Sequence, residues 1–304
     1  MTQLKLAWQS KLVLLLVVPA VTVDVMVKSQ WWASQQGPVA IWTLGLSVLL
    51  ALVTWKLHAA TPFAAAAGAV ITSNLMFSTL VVPYEPWHTA LVPVLAVSVL
   101  AFATTALGRT RKERLGTAEK REGRSAAQVT ANLGVAALLT GELGQTWIAN
   151  NHWFSQPDIG QMVLLAAGLA ALAEAAADTV SSEVGQVFGG RPRILINLRK
   201  VEPGADGAVS LAGTLAGVLA AGIVAAAGTW ALGGNGTMFL ASCAGSVFGF
   251  LFDSLLGATL EEWGWLNNDS VNFLSTASAA AFAFGVVALL PHTAVGHLPA
   301  FKLG

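Results

Sequence analysis

The chain has 304 residues, 55% of them hydrophobic and only 11% charged, with a mean hydropathy of +0.66. A soluble domain carries roughly 25% charged residues, so the composition excludes an ordinary water-soluble domain. Sixteen basic residues balance sixteen acidic ones, which gives no electrostatic ground for a nucleic-acid partner, and a single cysteine, Cys243, excludes a disulfide framework or a thiolate zinc site.

A membrane-spanning helix needs about 20 mostly apolar residues. Segments of this kind occur at 12–28, 39–57, 62–82 and 88–107, and again at 126–148, 160–182, 208–231, 236–257 and 271–290. The expected fold is therefore all-α, a polytopic membrane helical bundle of about nine transmembrane helices. The first segment follows Lys5 and Lys11 and contains Asp24. It resembles a signal peptide without a small-residue cleavage site and reads as a retained anchor. Between the two groups lies RTRKERLGTAEKREGR at 109–124, with seven basic residues, the strongest cytoplasmic marker in the chain. Placing it inside gives an N-in, C-out topology. Lys56 and the basic segment 188–207 then also lie inside. Trp31, Trp32, Trp87 and Trp153 fall at the outer interface, with Lys28 and Lys302 the outer lysines. The chain divides into a front bundle of four spans (1–108), a basic cytoplasmic loop (109–124) and a five-span back domain (125–304) that holds most of the polar span residues.

Ionisable residues inside spans are costly and mark function by default. The back half has Glu142, Glu174, Asp178, Glu183 and Asp253. Glu174 and Asp178 are spaced i,i+4 and share a helix face with Ser181. Glu183 falls nearly opposite Glu174, so either the helix breaks near Ser181 and Ser182 or Glu183 has another partner. Gln128 and Asn132 also share a face. Gly245, Gly249, Asp253 and Gly257 form one stripe, which lets backbones approach and presses Asp253 into the bundle. Plainer roles stay open for some of these residues. A carboxylate can pair structurally with an arginine, Asn268 or Asp269 can cap the last span, and 109–124 can be a headgroup-binding patch.

Pro203-Gly204-Ala205-Asp206-Gly207 leads through Ser210 into a helix start at Gly213 and Thr214. Free N–H groups at a helix N-terminus favour an anion, and Arg193, Arg199 and Lys200 precede the turn. The pattern is not a P-loop, and Gly213-xxx-Gly217 serves equally as a packing motif. Carboxylates near phosphates suit Mg²⁺. The five histidines are scattered, which speaks against zinc.

The segments ADTVSSEVG, PRILINLRKVEPGADGAVSLAGT, FDSLLGATLEE and LNNDSVNFLST, with GRSAAQVTANLGVAAL at 123–138, resemble the integral-membrane family that contains the chloroplast phytyl-phosphate kinase of vitamin E synthesis. More distantly the pattern resembles dolichol kinases and phosphatidate cytidylyltransferases, which use CTP and Mg²⁺. The resemblance implies transfer of a phosphoryl group from a nucleoside triphosphate, CTP being expected, to an isoprenyl monophosphate. It implies that Asp178, Glu183 and Asp253 hold Mg²⁺, with Lys200 completing the catalytic set. Arg193, Arg199, Lys200, Gly204, Gly207, Ser210, Gly213 and Thr214 then hold the nucleotide phosphates. Arg124, Gln128, Asn132, Asn268, Asp269 and Asn272 orient the acceptor. Ser182 also matches the family pattern. The family's usual turn is closer to PGTNGGVS, so Asp206 and Ala208 depart from it. The expected partners are the membrane and an isoprenyl phosphate lipid, with no nucleic acid, and a homodimer is left open. The expected setting is a bacterial inner membrane with the site at its cytoplasmic face. A CTP-dependent lipid cytidylyltransferase or polyprenol kinase is the alternative within this chemistry. An ion-coupled transporter is the alternative outside it, although transporter sites sit near the midplane and these acids cluster at span ends.

Overall fold

A computed structural model describes residues 7–150 and 157–290; Lys5, Trp153 and Lys302 lie outside the described residues. The helices are α1 (Trp8–Gln35), α2 (Gly37–Lys56), α3 (Pro62–Thr79), α4 (Leu91–Ala106), α5 (Arg109–Leu115), α6 (Ala126–Thr140), α7 (Glu142–Asn150), α8 (Pro157–Phe188), α9 (Leu211–Ala231), α10 (Gly236–Leu256) and α11 (Asn268–Leu289). A π-helical turn, Gly257–Glu261, extends α10.

Every predicted apolar segment carries a helix, and the architecture is a mostly helical membrane bundle. Its helices are less uniform than the hydropathy runs. By length and composition six described helices can cross a bilayer: α1, α2, α8, α9, α10 and α11. The bent pair α4–α5, folded by 68°, makes a seventh if it counts as one span. The predicted segment 126–148 is two helices, broken at Gly141. At that break the Asp24 carboxylate accepts from Asn74 Nδ2 (2.6 Å) and from the Glu142 backbone N–H (2.9 Å), and pairs with Lys28 (3.1 Å). A side chain at 141 would meet that carboxylate at 2.6 Å, so the polar knot occupies the space that a continuous helix needs.

Two short strands, β1 (Arg193–Ile194) and β2 (Ala208–Val209), pair antiparallel between α8 and α9. The chain is therefore not purely α. A two-residue strand has no alternation to read, so the sequence shows this stretch only as a basic loop and a glycine turn.

The Ala-rich α8 is the axis of the bundle. Of its most apolar stretch, 94% is buried inside the protein, and α4, α6, α9, α10 and α11 pack around it. Small residues make this possible. A Cβ at Gly217 would meet the Ala177 carbonyl at 2.8 Å, and one at Gly213 would meet the Ser181 carbonyl at 2.6 Å. The glycine pair of α9 is therefore a packing face against α8. Val17, Ile71 and Val94 from the front join Ala136, Leu172 and Val224 from the back in one hydrophobic core. Outward, α1, α2 and α9 expose large apolar side chains such as Leu15, Ile41 and Leu215, the surface expected of helices in lipid.

One end of the bundle collects polar groups from many elements. Ser10 at the start of α1 donates to Asp269 at the start of α11 (2.5 Å). Ala60 before α3 bridges to Arg124 before α6. Lys112 of α5 reaches Glu183 near the end of α8.

Candidate active site

At this polar end a cavity of about 200 Å³ opens among α8, the 203–210 turn, α10 and the start of α11. Helix α8 contributes Asp178, Ser181 and Ser182. It runs unbroken to Phe188, which resolves the geometry left open by Glu183: the helix does not break, and Glu183 points elsewhere. Helix α10 contributes Asp253. Its glycine stripe lets it lie close to α8 and α11, since a Cβ at Gly249 would meet the Ser275 carbonyl at 2.7 Å and Glu174 Cγ at 2.9 Å.

The carboxylates are gathered but underprovided. Asp178 and Asp253 line the same cavity and act on each other electrostatically, a pairing of like charges that a proton or a cation between them would relieve. Ser275 lies within reach of both Glu174 and Asp253, yet its single hydroxyl proton already points to the Asn272 carbonyl (3.0 Å). Among the described residues Glu174 Oε1 and Asp253 Oδ2 are buried without a partner, a costly state unless something else satisfies them. The cavity is further lined by Asp206 and Glu261, and among the described residues no lysine, arginine or histidine lines it. Arg124 acts on Asp178 from beside α8, its guanidinium 3.4 Å from Thr179 Oγ1.

The opposite wall is a pinned turn. Gly204 and Gly207 have φ of 92° and 66°, conformations that favour glycine, and any side chain at 207 would collide with Ala258 of the π-turn. Asp206 projects from this turn. Partial burial, with the Glu262 charge adding, pushes its carboxyl above the ordinary carboxylate range. A carboxyl raised by folding contributes its stability below its unfolded pKa and loses it as pH rises through the folded value. Asp206→Asn is therefore expected to melt slightly above the parent at pH 7, by no more than about 0.5 kcal/mol for a surface charge. The gain should vanish near pH 3, and melting curves across that range check it.

The structure brings together part of the predicted set. Asp178, Asp253, Gly204, Gly207, Ser210 and Asn268 line the cavity. Arg124 and Asn132 line a second, apolar cavity that touches α8 at Ala175, one turn before Asp178, and Asn272 donates to Asn132 (3.3 Å). The remaining residues are engaged elsewhere. Glu183 pairs with the buried Lys112 and accepts from Thr105 (2.8 Å). Gln128 closes a capping box with Ser125. Arg193 donates to the Leu198 carbonyl (3.0 Å), and Arg199 and Lys200 are exposed on the ribbon. The Gly213 and Thr214 N–H groups are taken by the Ser210 side chain (3.1 Å) and carbonyl (2.8 Å). Asp269 accepts from Ser10, and the cap of α11 is Asn267 rather than Asn268 or Asp269. Gln186, which the sequence does not single out, and Glu261, an inner-side acid to which it gives no role, also line the cavity. Each lies eight residues beyond an aspartate of the site, a helical repeat that would have found them.

Among the described residues, no three His, Cys, Asp or Glu side chains converge at metal-ligating spacing. Two carboxylates do converge, and that is the donor set Mg²⁺ uses when substrate phosphates and water complete its shell. Asp178 and Asp253, the latter with an unpartnered oxygen to offer, fit such an ion, and the described residues form no closed, all-protein cage.

Residues 45–280 match the family model described as Integral membrane protein DUF92. The chain belongs to this family. The DUF92 match takes in α2 through most of α11, so both cavities fall within it. An uncharacterized membrane protein of Synechocystis sp. is 34% identical over 66% of this chain and 75% of its own length. An uncharacterized membrane protein of Methanocaldococcus jannaschii is 42% identical over 36% of this chain and 45% of its own. Protein VTE6, chloroplastic, of Arabidopsis thaliana is 32% identical over 62% of this chain and 56% of its own. The chain thus spans about half the length of the latter two relatives. No solved structure matches the chain.

Proposed function

We propose that this DUF92 protein is a membrane isoprenyl-phosphate kinase, moving the terminal phosphoryl group of a nucleoside triphosphate, CTP being expected, to an isoprenyl monophosphate. The carrying observation is the polar cavity that brings Asp178 and Asp253 together with the Gly204–Gly207 turn, Asp253 Oδ2 being buried without a partner among the described residues. The chloroplastic relative VTE6 and the motif resemblance to the phytyl-phosphate kinase family support the same reading. In it the polar end faces the cytoplasm, where the basic 109–124 segment would lie under an N-in, C-out, nine-crossing topology.

Among the described residues the cavity is lined by Asp178, Asp206, Asp253 and Glu261 and by no basic group. A triphosphate entering alone would meet only like charge. Asp178 and Asp253 would hold Mg²⁺, which neutralises phosphate charge when bound. The Gly204–Gly207 turn lets phosphate oxygens approach the backbone, and Asn268 orients them from α11. Arg124 lies next to Asp178 but opens on the other cavity, where it can hold the acceptor phosphate bidentately. An acceptor phosphate oxygen attacks the terminal phosphorus, the bond to the bridging oxygen breaks, and nucleoside diphosphate leaves. A phosphate monoester is already largely ionised near pH 7, so the site needs no strong general base.

Purified protein in nanodiscs, given γ-labelled CTP, Mg²⁺ and geranylgeranyl or phytyl phosphate, is expected to place the label in a lipid diphosphate. Release of labelled pyrophosphate with a CDP-lipid would replace the reading by cytidylyl transfer. No turnover with any nucleoside triphosphate and any isoprenyl phosphate would overturn it.

A further inference from the structure

The front helices enclose a cavity of about 210 Å³ among α2, α3, α4 and α6. Its walls are small and apolar along their length: Leu50, Ala64 and Gly68 on one side, Val97, Ala101 and Phe102 on the other. It reaches Thr72 in α3 and Val94 in α4. Eight residues separate Ala64 from Thr72, so the cavity runs about 12 Å along α3 at 1.5 Å per residue. Its mouth differs from its walls. There the cavity is lined by Arg109, Lys120, Arg121 and Arg124, against a single acid, Glu119. Arg124 at the mouth and Asn132 two turns into α6 both line the cavity, and Ala175 of α8 forms part of its wall one helical turn from Asp178.

An apolar cavity of this volume with a cationic mouth is complementary to one ligand chemistry: a single hydrocarbon chain carrying an anionic phosphate. A two-chain phospholipid is too bulky for about 210 Å³, and a free phosphate would leave the apolar length unfilled. We propose that this cavity holds the hydrocarbon tail of the isoprenyl phosphate, with its phosphate at Arg124 and Asn132, and that Gly68 and Ser98 set the chain length accepted. The inference deepens the kinase reading and rests on it for the identity of the lipid. It gives the front helices a task, since they supply most of the cavity wall.

Gly68 is suited to a test because a Cβ there would meet only Val129, at 3.7 Å. A small addition is therefore tolerated, while a longer side chain has only the cavity to enter. Ser98 lines the opposite wall and satisfies its hydroxyl on the Val94 carbonyl (2.8 Å), so replacing it strands no partner side chain.

Binding of labelled geranylgeranyl and geranyl phosphates is measured on the full chain in nanodiscs without nucleotide, with phosphatidate and inorganic phosphate as competitors. Gly68→Leu is expected to weaken the long chain by about tenfold or more, since each displaced methylene forfeits burial. The short chain should stay within about twofold of the parent. Ser98→Phe should act in the same direction and carries the test if Gly68→Leu does not fold. Arg124→Gln should weaken both lengths alike. Equal loss of both chains in the two wall variants, no change in either, or full displacement by phosphatidate or inorganic phosphate would overturn the tail site. Length-dependent binding without any phosphoryl transfer would overturn the kinase reading and leave the tail site standing.

Discussion

Asp253→Asn is expected to lower phosphoryl transfer by about a hundredfold or more, the scale on which a charge-stabilising group in an active site acts, while leaving the fold intact or firmer. The substitution keeps the shape of the side chain and removes one charge. Three carboxylates, Glu174, Asp178 and Asp253, lie within electrostatic range of one another in the bundle, and like charges so placed oppose folding. A purely structural aspartate would show the reverse pattern, a lower melting temperature with the activity of the surviving protein preserved. Activity lost with stability kept or gained is the mark of a site that trades stability for function. Magnesium supplies the independent readout. Mg²⁺ bound by the folded protein raises the melting temperature of the parent by mass action, and Asp253→Asn and Asp178→Asn should each flatten that response. Glu174→Gln is the control: 1% exposed and absent from the cavity wall, it should retain most of the Mg²⁺ response. A parent whose melting ignores Mg²⁺, or an Asp253→Asn variant of near-normal rate, would remove Asp253 from the metal site.

What the sequence disclosed and what it withheld follow from the range of the interactions involved. Hydropathy runs located the helices because bilayer burial acts on each segment independently. The i,i+4 spacing of Glu174 and Asp178 and the glycine stripe below Asp253 are local regularities, so the meeting of α8 and α10 at these acids was legible. The break at Gly141 was not, because its cause, Asp24, is more than a hundred residues away. Nor was the direction taken by Arg193, Arg199 and Lys200. Their proximity in sequence to the glycine turn says nothing of the ribbon that turns them outward, away from the cavity lining. Lys112 was the least visible of all. A lysine in RTRKERL reads as one more solvated charge, and only the fold-back of α5 at Gly108, whose φ of 61° leaves no room for a side chain beside Val187, carries it inside.

That buried lysine carries the second large effect. Lys112 is 1% exposed, and its ammonium donates to the Thr104 carbonyl (3.0 Å), the Thr105 carbonyl (2.7 Å) and Glu183 (2.5 Å). Two of these acceptors are in the last turn of α4, where a cation satisfies orphan carbonyls and the helix dipole together. The third ties the basic segment to α8. Lys112→Met would leave Glu183, 13% exposed at its side chain, without its counter-ion. The expected cost is about 3–5 kcal/mol, the usual result of removing one partner of a buried pair, measured by unfolding in detergent. Lys112→Arg should recover little, because a planar guanidinium cannot serve three acceptors arranged around an ammonium. Lys112→Met with Glu183→Leu should recover much of the loss, since removing both charges removes the stranded one. The same pair decides whether Glu183 ligates the metal, as the family resemblance implies. A ligand lost in the double variant would take the activity and the Mg²⁺ response with it. An ion-pair member would leave the rate of the folded double variant near that of the parent, which is the result expected from the geometry, with Asp178 and Asp253 as the carboxylates left to hold the ion.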